Sequence, residues 1–400
     1  MSYNNLKKIY YTQPDKHKEI YQQRFSSPFS KHVPIMIKEY NHNINFPAFW
    51  YYTEENILLI EKVYRQYKKL LDIMQSISPL VLHQYPLSCI VNEVYSTSAI
   101  EGIHSTHREL KEILEGKNSL HFTSIIRKYD MLTHKKEIDF FTCKDIRTFY
   151  DEFAHSEIII NNPSHKLDGK IFRADTVNVV TSTGKILHSG LFPEEKIIST
   201  LNTALNILHD ENIPTLVRIA VFHYLFVYIH PFYDGNGRTA RFIASYFLAK
   251  NFHYLPALRL SVKIKEQQKK YYDLIHDTEL EINCGDLTPF IHGFISFFYD
   301  TLCDIYNTLS KKQEQLNKFE TKILELFPDD KLTQHIYFAL LHSSTFFGQG
   351  ITMEELMKFT GKSRNTIKAK FAAMPENHLV IRKNKNKKFF YKLNTLIFKE

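Results

Sequence analysis

From residue 53 onward, apolar side chains return every three or four positions, the rhythm of helices with one buried face. Thr53, followed by Glu54 and Glu55, opens the first of these helices, which the spacing carries to about Ile77, just before Pro79. The same pattern predicts helices over about Tyr85–Ile100 and near 107–115, 120–129 and 143–154. It resumes at about 194–208, 214–229, 238–250, 262–277 and 288–309. One interruption has the period of a strand: Val177–Val180 and Lys185–His188 flank Thr181-Ser-Thr-Gly184, which predicts a small hairpin. The first 50 residues lack rhythm and are broken by Pro14, Pro28, Pro34 and Pro47, so they are expected to form an irregular arm wrapped on the body.

The C-terminal part has a different grammar. Lys311–Lys322 is charged and predicted helical, a connector. Three helices are then expected near 331–343, 352–359 and 363–373, ahead of strands at Leu379–Arg382 and Lys388–Leu393. Helix-turn-helix spacing followed by two strands predicts a winged helix. The expected organisation is an N-terminal helical arm (1–84), a helical core (85–310), a connector (311–330) and the winged helix (331–400). The fold class is mostly α.

Composition narrows this picture. Only 12 of 400 residues are glycine, which argues against a large barrel or sandwich. Cys89, Cys143, Cys284 and Cys303 are far apart, a spacing that supports neither a zinc site nor a disulfide framework. The polar N-terminus lacks the apolar stretch of a secretory signal, and the longest apolar run, Ile219–Ile229, is too short to span a bilayer. A cytoplasmic protein without membrane contact is therefore expected. The net charge of +8 is localised: residues 361–400 hold 11 Lys or Arg against Glu376 and Glu400, so that tail carries +9 and the remaining 360 residues −1. Nucleic-acid contact, if any, belongs to the tail.

The candidate chemistry sits in His230-Pro-Phe-Tyr-Asp-Gly-Asn-Gly-Arg-Thr-Ala-Arg241. Pro231 ends one apolar helix and a new one is predicted from Arg238. Gly235 and Gly237 open backbone angles closed to other residues. The loop therefore meets a helix N-terminus, where free N–H groups and the helix dipole favour an anion. Around it stand a proton acceptor (His230), a hard oxygen ligand suited to Mg²⁺ (Asp234), a neutral donor (Asn236) and two planar donor forks (Arg238 and Arg241). A base, a metal ligand, a phosphate nest and two arginines are the parts needed for chemistry at a phosphate.

This segment resembles the Fic signature HPFxDGNGRxxR at every specified position, and the similarity extends over roughly 85–300, including Gly169-Lys-Ile-Phe-Arg173. The resemblance implies a Fic-type helical core with a hairpin flap, and transfer of AMP from ATP to a Ser, Thr or Tyr hydroxyl of a protein, itself included. It implies His230 as the base, and Asp234 as the Mg²⁺ ligand between the α- and β-phosphates. Asn236 with Gly235 and Gly237 would form the phosphate cradle, Arg238 would act at the leaving side, and Arg241 would meet the γ-phosphate. Gly237, where phosphorylating relatives carry Lys, favours adenylylation.

Thr97-x-x-x-Glu101-Gly102 resembles the inhibitory motif of the same family. A carboxylate paired with Arg241 would occupy the fork needed by the γ-phosphate, with Thr97 stabilising an inhibitory helix at 91–103. The hairpin is expected to register a target segment at its edge, and Arg364, Lys368 and Lys370 of the winged helix to face outward, toward DNA or a protein. A homodimer is a further expectation. The rival readings are a DNA-binding regulator with a weakly active core, and transfer of another nucleotide or phosphate-containing group.

Overall fold

The computed structural model describes residues 3–77, 79–114, 116, 119, 121–180, 183–347, 350–383 and 388–398. Its chain divides into two compact units: Met1–Tyr67 with Cys89–Leu302, and Lys68–Ser88 with Cys303–Glu400.

The first unit begins with regular structure where an irregular arm was predicted. Helices α1 (Leu6–Thr12) and α2 (Pro14–Phe25) precede an antiparallel hairpin of β1 (Ser30–Lys38) and β2 (Asn45–Tyr51). The prolines that suggested an irregular arm occupy positions that tolerate them. Pro14 is the first residue of α2, where its missing N–H would have had no helical partner. Pro34 lies in a stretch of β1 where the register shifts between His32 and Met36. Val33, Ile35 and Ile37 point inward, and Tyr228 fastens the hairpin by accepting from the Lys38 N–H and donating to the Met36 carbonyl.

The helical body follows the predicted order. Helices α3 (Glu54–Gln75), α4 (Pro79–Ile100), α5 (His107–Leu114) and α6 (Thr123–Thr133) lead to α7 (Cys143–Tyr150). A five-residue π turn at Asp151–His155 then runs into α8 (Ser156–Asn161). Strands β3 (Asn178–Val180) and β4 (Ile186–Ser189) form the predicted hairpin; Thr181 and Ser182 of its turn lie outside the described residues. Then come α9 (Glu194–His209), α10 (Thr215–Ile229), α11 (Asn236–Asn251) and the short α12 (Tyr254–Ala257). The single helix expected over 262–277 is two, α13 (Leu260–Glu266) and α14 (Gln268–Glu279), because Gln267 leaves the helical region. The helix predicted at 288–309 and the charged segment after it are one continuous element, α15 (Thr288–Leu326).

The centre of this unit is the pair α10 and α11. Twelve of the fifteen residues of α10 are buried, so it is apolar nearly all round, as a central helix must be. Phe242 of α11 packs among Tyr129, Phe149 and Phe153 at ring separations of 4.9, 4.8 and 5.1 Å. The second unit contains α16 (Lys331–Phe347), α17 (Met353–Thr360) and α18 (Arg364–Ala372), and a three-stranded antiparallel sheet. Its strands β5 (Ile351–Thr352), β6 (Leu379–Lys383) and β7 (Phe389–Leu393) lie in the order β5-β7-β6. Residues 384–387, in the expected wing, lie outside the described residues. Lys370, expected to face outward, forms an ion pair with Asp330.

His223, wholly buried in α10, is a titratable group inside this core. It accepts from the Tyr271 hydroxyl at 2.8 Å and donates to the Ala240 carbonyl at 3.3 Å. Burial, with the Arg241 charge adding to it, lowers its pKa to about 3. Below pH 6.5 the unfolded chain takes up a proton here that the native state refuses, so stability is full above that pH and falls as pH drops toward 3, by up to about 1.4 kcal/mol per pH unit. Urea midpoints at pH 7.5, 6 and 5 are expected to fall less steeply in His223→Gln than in the natural chain.

Candidate active site

The loop after α10 owes its shape to residues turned inward. His230 ends α10 in the left-handed region with φ 53°, and its N–H still donates to Phe226 O at 3.0 Å. A non-glycine residue holds that conformation only under support, which Arg173 provides. Its guanidinium is buried and donates to the carbonyls of His230 (2.9 Å), Leu191 (2.7 Å) and Asp175. Desolvation lowers its pKa to about 10, still charged at neutral pH. Phe232 is buried and stacks on Tyr150 with 3.6 Å between centroids and 8° between planes. Asn236 closes the loop on itself: its Oδ1 accepts from the Phe232 N–H at 2.9 Å and its Nδ2 donates to the Phe232 carbonyl at 2.8 Å. Gly235, with φ 80°, is the N-cap of α11, and a Cβ there would lie 2.7 Å from Ile158.

His230 is half-buried. Its Nδ1 lies 3.1 Å from the Val227 carbonyl, an acceptor only, so Nδ1 carries the proton and Nε2 has its lone pair free. Burial first, then the positive charges of His188 and Arg173, lower its pKa to about 3, and the ring is neutral throughout the physiological range. Asp234 stands at the rim, its side chain 41 % exposed. One oxygen accepts from the Gly235 N–H and the other lies 3.6 Å from His165 Nδ1. Among the described residues there is no cluster of three His, Cys, Asp or Glu that could hold a metal alone. A single exposed carboxylate at a helix N-terminus nevertheless suits Mg²⁺, which takes one or two carboxylates and completes its shell with water and substrate phosphates.

The two arginines, three apart in α11, diverge. Arg238 is 1 % exposed and its Nη1 donates to the buried Glu157 of α8 at 2.8 Å, while its Nε has no partner among the described residues. Arg241, also 1 % exposed, turns to α4. Its Nε donates to Thr97 Oγ1 (2.9 Å), and its Nη2 to the Thr97 carbonyl (3.0 Å) and Glu101 Oε1 (2.7 Å). The Glu101 carboxylate also lies over the opening turn of α11: a Cβ on Gly237 would sit 2.1 Å from Oε1. Gly102 explains how Glu101 arrives there. With φ 73° it ends α4 in a left-handed turn, in which Ile103 N–H bonds Ser98 O and Gly102 N–H bonds Ala99 O. That capping pattern places Glu101 at the C-cap, just past the last helical residue Ile100, and frees its side chain to cross to α11.

Four residues that sequence reasoning left without a role prove central: Arg173, Glu157, Glu93 and His188. Glu93, on the same face of α4 as Thr97 and Glu101, is wholly buried and accepts from the N–H groups of Ser261 (2.9 Å) and Val262 (3.4 Å) at the start of α13. Burial raises its pKa to about 7. The usable signal was a lone charged residue within an apolar helical stretch, as in Phe153–Ile160 around Glu157.

Comparison with known proteins agrees with this geometry. Residues 142–248 match the Fic/DOC family profile. The chain is 28% identical over 205 residues to the protein adenylyltransferase fic-1 of Caenorhabditis elegans, covering 50% of this chain and 37% of that one. It is 28% identical over 225 residues to the protein adenylyltransferase Fic of Drosophila melanogaster, covering 53% and 41%. It thus spans less than half the length of these curated relatives. The fold is similar to that of a Fic family protein from Desulfovibrio desulfuricans G20, with a TM-score of 0.53 at 17% identity over 86% of this chain and 97% of that one. The helices and loop that carry His230 and Arg241 thus lie within the stretch that matches the Fic/DOC family profile, and this part of the chain is a Fic domain.

Proposed function

We propose that this chain is a protein adenylyltransferase that moves AMP from ATP to a Ser, Thr or Tyr hydroxyl of a protein, itself included, and that Glu101 restrains it. One observation carries the reading: the opening turn of α11 already holds an anion, the Glu101 carboxylate, on Arg241 and against Gly237. A triphosphate would take up the same donors once that carboxylate leaves.

In the reaction the target oxygen bonds to the α-phosphorus as the bond from that phosphorus to the β-bridging oxygen breaks. Pyrophosphate leaves with the electron pair, and the hydroxyl proton passes to Nε2 of His230, which is neutral and free to accept it. Asp234 would hold Mg²⁺, which when bound offsets charge on the α- and β-phosphates. The braced turn of Gly235, Asn236 and Gly237 supplies the cradle. Arg238, fixed by Glu157, lends positive charge to the leaving side from within the core, and Arg241, released from Glu101, meets the γ-phosphate. The hairpin exposes Val180 and Leu187, apolar contacts for an extended target segment along its edge.

The brake is the Glu101–Arg241 pair, with Thr97 and Gly102 setting its position. Hydrogen bonds to charged groups are worth about 1.5–3 kcal/mol, so Glu101→Gly is expected to raise AMP transfer about 10- to 100-fold. Intact mass after incubation with ATP and Mg²⁺ checks this: the variant gains AMP, Glu101→Gly with His230→Ala gains none, and equal labelling of variant and natural chain would remove the brake. GTP, UTP and CTP in parallel test for another transferred nucleotide. Gly237→Ala places a methyl group against the Glu101 carboxylate, so its cost in unfolding free energy is expected to shrink when Glu101 is also Gly; strictly additive costs would place that carboxylate elsewhere.

A second reading concerns the C-terminal unit alone, which we read as a winged helix. Arg364, Lys368 and Lys388 line a groove of about 480 Å³ together with Phe389 and Tyr391. Cations interleaved with aromatics suit nucleic acid. Duplex DNA is expected to bind with an affinity that falls steeply as salt rises, and charge reversal of Arg364 and Lys368 is expected to abolish the binding in a mobility-shift assay.

A further inference from the structure

The hairpin of β3 and β4 has three residues in one strand and four in the other, too little to be stable alone in water. One side chain ties it to the core. His188, on β4, points inward and is buried. Its Nδ1 lies 2.9 Å from the Glu279 carboxylate at the end of α14, and its Nε2 lies 2.7 Å from the Tyr228 carbonyl near the end of α10. A carbonyl only accepts hydrogen bonds, and so does an ionised carboxylate, so both ring nitrogens must donate. The ring facing them is then an imidazolium, and the Glu279–His188 pair is a buried ion pair with both members hydrogen-bonded.

The place of this cation matters. Its ring centre is 6.2 Å from that of His230, and the carbonyl it grips is two residues before His230 in the chain. Three charged groups act on His230 from the elements around it: His188 from the hairpin, Arg173 from the segment before the hairpin, and Glu101 from the end of α4. Two are positive and one negative, and Glu101 is the one that departs when the brake opens. Around His188 itself stand Glu279, Arg173 and the Tyr228 ring, 5.2 Å away.

We propose that His188 is a positioning residue held as an imidazolium, which docks the hairpin onto the end of α10 and keeps His230 in its neutral, proton-accepting form. Burial alone would favour a neutral His188, but the Glu279 charge and the two hydrogen bonds outweigh it, and the net direction is a raised pKa. One residue thereby couples the surface proposed to receive the target to the base proposed to activate it. The inference rests on the reading of His230 as that base.

The test has two independent arms. In the first, the full chain carries ¹⁵N-labelled histidine and the His188 signal is assigned by its loss in His188→Gln. Both ring nitrogens are expected to be protonated at pH 8, and one of them to lose its proton in Glu279→Gln. A His188 with one protonated nitrogen in the natural chain overturns the proposal. In the second, the pH dependence of kcat/KM for AMP transfer is measured in the Glu101→Gly background. Loss of a unit charge about 6 Å away at an effective dielectric near 20 is expected to move the acid limb up by about one to two pH units. His188→Gln and Glu279→Gln are expected to move it in the same direction. A merely structural contact would lower kcat at every pH and leave the limb in place, which also overturns the proposal. Glu279→Gln keeps the shape of the carboxylate and serves should His188→Gln not fold. If Glu101→Gly transfers no AMP at all, the reading of His230 as base fails, and the nitrogen spectrum alone decides the state of His188.

Discussion

A guanidinium stays charged at any pH a protein meets, so a buried arginine must find acceptors for its donors or remain outside. Arg241 is that constraint here. It sits on the central helix α11, nearly without solvent, and it donates to Thr97 Oγ1, Thr97 O and Glu101 at the end of α4. The requirement fixes how α4 lies against α11 and brings Glu101 over Gly237, where no side chain could be accommodated. The same charge helps to keep His223 neutral beneath it. The packing of the core and the occupancy of the anion site are thus set by one ion.

The loop on the other side of α11 solves a related problem, how to hold an irregular backbone rigid beside solvent. Several of its residues are braces rather than reagents. Phe232 fills the space against Tyr150, Asn236 uses both ends of its amide on Phe232, and Arg238 locks the first turn of α11 to Glu157. Arg173 clamps the left-handed turn at His230 from outside the loop. What remains turned outward is short: the Nε2 edge of His230, the carboxylate of Asp234 and the backbone at Gly237. Nine specified residues serve few chemical groups because precision in those groups depends on the others.

Legibility in the sequence followed the same division. The apolar rhythm of α10 and the break at Pro231 located the loop, and the β-branched pairs around Gly184 located the hairpin within a residue at each end. Residue type disclosed which groups were charged but not where they point. Arg238 and Arg241 are three apart, yet one reaches α8 and the other the end of α4, because long side chains lean toward whichever carboxylate is within reach. The first 50 residues misled because proline was counted as a breaker in each case, when Pro14 starts a helix and Val33, Ile35 and Ile37 still alternate through Pro34. Arg173, Glu93 and His188 were invisible as functional residues since their partners are mostly backbone groups far along the chain.

The three polar residues on one face of α4 also explain why the proposed brake could yield without the helix unfolding. Glu93 and Thr97 are fully buried, the first capping α13 and the second holding Arg241, while Glu101 is 26 % exposed at the helix end. Removing the Glu101 carboxylate from Arg241 strands no charge, because water reaches the carboxylate and a phosphate can replace it on the arginine. Removing Glu93 would leave the N–H groups of Ser261 and Val262 without that acceptor inside the core. The anchor and the movable group sit eight residues apart on one rigid element, so exchange at Glu101 asks for a side-chain rotation and a local shift of the last turn. An anion that binds better than the carboxylate would compete with it directly, and under the proposed function that anion is the triphosphate.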